Sequence, residues 1–186
     1  MKKFVFLQGI GKINEITLIK LRKNLDWSLR TFEIKTKILP NRLVLKRSEF
    51  HPLKRQYNAD LILNRIFKQK KDEEVYKVLG ILDQDIYAKT LNFVFGKANG
   101  INSREALISV ARLDEKFYRR SDNPSLFEFR VLKEAIHELG HTFGLYHCSN
   151  ECVMEFSNSI DEADRKPIKF CKSCLHLLHN IFDRDD

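Results

Sequence analysis

Long apolar runs are missing from this sequence, and none approaches the roughly 20 residues that a helix needs to cross a bilayer. In the opening MKKFVFLQGI the apolar run stops at Leu7, too short for the core of a signal peptide. The expectation is a cytoplasmic protein with no membrane association. No long extra N-terminal segment is available as an inhibitory pro-region, so storage as a zymogen is not expected. Repeats, low-complexity tracts and linkers are absent too, which argues for one domain over residues 1–186. Dense blocks of one charge are also lacking. The net charge is +8, but lysines and arginines are spread along the chain, with only short clusters such as Lys68, Lys70 and Lys71. Spread positive charge reads as solvated surface, although the balance leaves room for an acidic partner such as nucleic acid. Cysteine is scarce, four in all, and in a reducing compartment cysteines serve more often as metal ligands than as disulfides.

What is present reads as a folded domain, with 43% hydrophobic and 31% charged residues. Strand and helix patterns alternate. Phe4 to Leu7 is a short apolar strand, and residues 12–25 carry Leu18, Leu21 and Leu25 at helical spacing. Phe32, Ile34 and Ile38 alternate with Glu33, Lys35 and Lys37, the pattern of a half-buried strand. A helix over about Asn58 to Lys70 leads into a strand from Val75 to Leu82. That order implies parallel pairing through right-handed crossovers. Leu91 to Phe95 and Ala106 to Arg112 read as two more strands, the first expected to run antiparallel at a sheet edge. In DNPSLFEFRVLKEAIHELGHTFG, Asn123 suits a helix cap, Pro124 the first turn and Gly144 the stop. Leu126, Phe129, Leu132, Ile136, Leu139 and Phe143 form one stripe expected to pack against the sheet, with His137 and His141 on another face.

The chemistry concentrates in HELGHTFGLYHC, His137 to Cys148. Residues four apart on a helix lie one turn apart, so His137 and His141 can converge on one ion. Glu138 is rotated about 100° from His137 and can reach a metal-bound water without being a ligand. Gly144 lets the chain turn sharply with positive φ, returning His147 as a third nitrogen donor. Three protein ligands leave a tetrahedral zinc one open position, as in catalytic sites. The alternative, a helix with surface histidines, does not explain Gly144 and His147.

HELGHTFGLYH matches the pattern HExxHxxGxxH, and with the following cysteine, CVMEF and FCKSC the chain resembles the archaemetzincins, a family of metzincin zinc metallopeptidases. RQYNA, KVLGILDQDIY, LNFVFG and SVARL extend the resemblance over most of the chain, least clearly the first fifty residues. It implies an α/β fold: a metzincin-like mixed five-stranded sheet with packed helices, an active-site helix and a small C-terminal zinc-bearing subdomain. The division would fall at about 1–144 and 145–186. Met154, by itself an ordinary core methionine, would form the Met-turn beneath the zinc.

Cys148, Cys152, Cys171 and Cys174 form C-x3-C…C-x2-C, which suits tetrahedral thiolate ligation of a second, closed zinc. Disulfides or free thiols are the alternative. Cys148 directly follows His147, so one dipeptide would join the two sites. The family pattern has four residues between the first two cysteines; here only Ser149, Asn150 and Glu151 intervene. His176 and His179 lie just beyond and read as surface or packing residues that could also substitute as ligands. The expected activity is hydrolysis of peptide or protein substrates with two zinc ions per chain and Glu138 as general base. An extended substrate is expected to pair with Leu91, Asn92, Phe93, Val94 and Phe95. The competing reading is a basic zinc-binding module contacting nucleic acid or a protein partner, with a weak or vestigial peptidase site.

Overall fold

The alternating pattern folds, in a computed structural model that describes residues 3–69 and 76–184, around a mixed five-stranded sheet. In chain order the elements are β1 (Phe4–Ile10), α1 (Glu15–Ser28), β2 (Lys35–Ile38), β3 (Phe50–His51), β4 (Gln56–Asn58), α2 (Ala59–Gln69) and β5 (Lys77–Leu82). There follow β6 (Ile86–Ala88), β7 (Leu91–Val94), β8 (Gly96–Ala98), β9 (Glu105–Ser109), α3 (Pro124–Thr142), α4 (Ile160–Arg165) and α5 (Lys172–Arg184). The main sheet has the order β2-β1-β5-β9-β8. Its first four strands are parallel and β8 runs antiparallel to β9. β5 and β9 are buried along their whole length, as strands covered on both faces must be. The expected strand start at Val75, the helix end at Lys70 and Lys71 of the basic cluster lie outside the described residues.

Local physics accounts for most boundaries. Asn14 caps α1 by accepting from the Ile16 N–H at 2.9 Å, and Leu18, Leu21 and Leu25 enter the core. Asn123 caps α3 in the same way, accepting from Leu126 at 3.1 Å, with Pro124 in the first turn.

Several details depart from the sequence reading, among them the last strand, which ends at Ser109 because Ala111–Leu113 forms a 3₁₀ turn. β2 starts only at Lys35, because Phe32 ends a 3₁₀ turn and Glu33 takes a left-handed conformation (φ 55°). The apolar stripe of α3 fails at its start, where Leu126 is half-buried and Phe129 exposed. From Arg130 to Thr142 every residue of α3 is buried, histidines included, so the helix is enclosed on all sides. The edge of the main sheet is β8, not Leu91–Phe95. β7 instead pairs antiparallel with β6 at the edge of a second sheet, ordered β3-β4-β6-β7, and Phe95 lies at the bend between the two sheets.

Candidate metal and catalytic site

α3 carries His137 and His141 one turn apart, and their rings meet edge to face with centroids 4.7 Å apart. Gly144, at φ 109°, turns the chain after the helix and brings His147 within 4.8 Å of the His141 ring and 5.4 Å of the His137 ring. One nitrogen from each of the three lies within 4.8 Å of the others.

The ring nitrogens are already divided between roles. His137 Nδ1 is 2.8 Å from the Val153 carbonyl and His141 Nδ1 is 2.8 Å from the Leu145 carbonyl. A carbonyl only accepts, so both Nδ1 atoms carry the proton and both Nε2 atoms present lone pairs. Those two Nε2 atoms face each other at 3.1 Å. Two lone pairs so placed repel unless a cation lies between them, and the separation is close to the edge of a tetrahedron with bonds of about 2.0–2.1 Å to zinc. The donor set therefore fits zinc. Burial lowers the proton affinity of His137 and His141, His137 most strongly, which keeps them in the neutral form that binds metal.

Glu138 lies between α3 and the edge strand. It accepts a hydrogen bond from the Ala98 N–H, and its Oε2 is buried without a partner among the described residues. Its carboxyl is held well above the usual carboxylate range, by burial first and by the charge of Glu134 second. Gly96 makes the approach feasible: a Cβ there would lie 2.6 Å from Glu138 Cγ and 2.8 Å from Oε1.

Met154 is fully buried beneath the same helix. A Cβ at Gly140 would come within 2.3 Å of the Met154 sulfur, so this glycine lets the turn at 152–154 press directly on the backbone between the two helical histidines. The same turn supplies the Val153 carbonyl to His137, and the Met154 carbonyl accepts from the Cys148 N–H at 3.0 Å.

The four cysteines converge, with their sulfurs within 4.8 Å of one another. Cys148 and Cys171 Sγ are 3.7 Å apart, far beyond a disulfide bond and close to the edge, about 3.8 Å, of a tetrahedron with zinc–sulfur bonds near 2.3 Å. The Cys174 N–H draws the Cys171 thiol down to about 6, while burial pushes Cys152 and Cys174 up. Such buried thiols give up their protons only to a metal. His176 and His179 stay outside the cluster: His176 meets Asn180 at 3.2 Å and His179 packs on Phe32.

The histidines, Glu138, Leu91, Phe93, Val94 and Phe95 all line one cavity of about 330 Å³; Asn92 is exposed and outside its wall. Glu134 and Lys166 also line the cavity. Sequence reasoning missed this pair, buried and 3.3 Å apart, since nothing local links residues so far apart in the chain. The i, i+4 relation of Glu134 to Glu138 was the one available signal.

Comparison with known proteins places the chain in a family. Residues 12–180 match peptidase family M54. The chain is 40% identical over 177 residues to the archaemetzincin of Methanocaldococcus jannaschii, covering 95% of this chain and 93% of that one. It is 36% identical to the crystal structure of archaemetzincin from Methanopyrus kandleri, with a TM-score of 0.82 and coverage of 98% and 97%. The archaemetzincin from Archaeoglobus fulgidus, crystallised in complex with malonate, gives 36% identity and a TM-score of 0.78 over 93% and 98%. By family model, sequence and fold together, this chain belongs to peptidase family M54, the archaemetzincin family of zinc metallopeptidases.

Proposed function

We propose that the cavity cleaves peptide bonds with His137, His141 and His147 holding the catalytic zinc and Glu138 acting as general base. The observation that carries this reading is the pair of unprotonated Nε2 atoms facing each other at 3.1 Å. Zinc bound there supplies a Lewis acid that polarises a carbonyl and lowers the pKa of water to about 7. Glu138 is the proton carrier: its free Oε2 takes a proton from the attacking water and returns it to the leaving amine. Ala98 and Gly96 hold that carboxylate against β8, so its other oxygen keeps one orientation.

Substrate backbone binds along β8. Its ladder to β9 is flanked by bonds from Ser109 N to Phe95 O and from Asn99 N to Glu105 O. The backbone groups of Gly96 and the carbonyl of Ala98 therefore point away from the sheet, where an extended peptide adds as a further strand, while the Ala98 N–H stays with Glu138. Leu91, Phe93, Val94 and Phe95 serve as apolar wall in this arrangement, and Asn92 has no contact role. Cys148, Cys152, Cys171 and Cys174 hold a second zinc with a structural role, closed to substrate by four thiolates. The Met154 turn and the adjoining Cys148 keep His147 in register with α3.

Digestion of an unbiased peptide library by wild type and Glu138→Gln tests the mechanism. General-base loss costs on the order of 10² to 10⁴ in rate, so hydrolysis should nearly vanish in the variant while fold and zinc content stay. Equal cleavage by the two proteins rules the mechanism out.

A further inference from the structure

Beside the imidazoles the cavity holds polar groups that hydrolysis itself does not use. The Lys166 side chain is 2% exposed, and its Nζ lies 3.3 Å from Oε2 of Glu134, itself 7% exposed. Glu134 is the one acceptor of that ammonium among the described residues. An ammonium carries three donors, so two remain for a ligand. Ser157 lines the same cavity, its buried Oγ without a partner among the described residues. Glu134 precedes Glu138 by one helical turn, which puts both on the same face of α3.

We propose that Glu134, Lys166 and Ser157 form a specificity subsite for an uncharged side chain bearing both a hydrogen-bond acceptor and a donor: the carboxamide of glutamine or asparagine. The position of that side chain rests on the metallopeptidase reading above. Glu138 delivers its proton to the leaving amine, and Glu134 lies one helical turn from Glu138 in the same cavity, so the side chain of the residue bearing that amine is the one assigned to Glu134 and Lys166. Charge excludes the other classes. The Lys166–Glu134 pair is already neutral, and Lys97, which also lines the cavity, is paired with Asp60 at 2.8 Å. An entering carboxylate therefore meets Glu134 and an entering ammonium meets Lys166, each as an uncompensated charge in a largely desolvated site. An aliphatic side chain strips water from the Lys166 donors and the Ser157 hydroxyl and replaces it with nothing, which costs free energy at every unpaired group. A carboxamide accepts from Lys166 with its oxygen, donates to Glu134 with its nitrogen, and adds no charge.

Three peptides that differ only at this residue, carrying leucine, glutamine or glutamate, separate the classes at nearly constant side-chain size. Two quantities are read: kcat/KM with the zinc-loaded wild type, and affinity for zinc-loaded Glu138→Gln by calorimetry. Glutamine should exceed both others by about tenfold or more in each, since a pocket built to hydrogen-bond discriminates strongly against a partner that cannot. The double variant Glu134→Gln/Lys166→Met removes both buried charges together and leaves neither unpaired. It should melt near the wild-type temperature and shift its preference to leucine. A best ligand of leucine or glutamate in the wild type, or an unchanged glutamine preference in the double variant, overturns the subsite. The two readings fail separately. Ranked binding without cleavage keeps the subsite and discards the hydrolytic mechanism, whereas cleavage without glutamine preference does the reverse.

Discussion

Gly96 and His141 act on the same cavity through different physics, and their substitutions separate cleanly. A Cβ at position 96 would fall 2.6–2.9 Å from three atoms of Glu138, and that side chain is too enclosed to move aside without losing its place. Gly96→Ala should therefore lower kcat at least about tenfold with zinc content unchanged, because it moves a proton carrier and touches no metal donor. Full turnover in a Gly96→Ala protein contradicts the role given to Glu138. His141→Ala removes one of the two facing lone pairs. Two remaining nitrogens hold zinc poorly, so metal analysis should show this ion gone while the thiol-bound ion stays. Retention of the full wild-type metal content would disprove His141 as a ligand.

Among the elements, α3 has the most demanding surroundings, buried from Arg130 to Thr142. Apart from Oε2 of Glu138, which has no partner among the described residues, the charges it carries into the interior are met by partners. Arg130 forms a two-pronged contact with Asp164 at 2.7 and 2.6 Å and reaches Glu115 at 2.6 Å. Lys133 donates to the carbonyls of Ala163, Asp164 and Lys166 at the end of α4. These ties fix α4 against α3 and hold Lys166 at the cavity. The cysteines flank this anchored stretch, Cys148 and Cys152 before α4 and Cys171 and Cys174 after it, and their cluster brings its two ends together. Because structural zinc contributes directly to folding, Cys171→Ser or Cys174→Ser should lower the melting temperature by several degrees and loosen the His147–Cys148 connection. Unchanged melting together with unchanged zinc content in both variants removes the structural role.

At the scale of the whole molecule the two donor sets are joined by the His147–Cys148 dipeptide, yet one offers three donors and the other four. Dialysed protein should contain close to two zinc ions per chain. A chelator should strip one faster, since the histidine site keeps an open position and the thiolate site does not. One ion per chain with four freely titrating thiols would refute the second site. The dispersed +8 charge also has a whole-molecule consequence: nucleic-acid binding that weakens steeply with salt and is indifferent to Glu138→Gln would favour the binding-module alternative.

The residues that converge in the cavity were legible because their geometry is local. A spacing of four on a helix, a glycine free to take positive φ and a third histidine three residues later define a donor set without reference to the rest of the fold. The parallel centre of the sheet was legible for a similar reason, since β1 and β5 are short apolar runs separated by helical patterns. Other features needed the tertiary structure. Alternation along Leu91–Phe95 reports which face is apolar but not which sheet receives the strand, and packing gave the edge of the main sheet to Gly96–Ala98. Helical periodicity marked the core side of α3, but only the folded chain shows the histidine side covered as well. The pairing of Glu134 with Lys166, and the seat of Met154 on Gly140, join residues that no local pattern connects. Contacts between distant segments are set by how whole elements pack, and neither propensity nor periodicity in a single sequence carries that information.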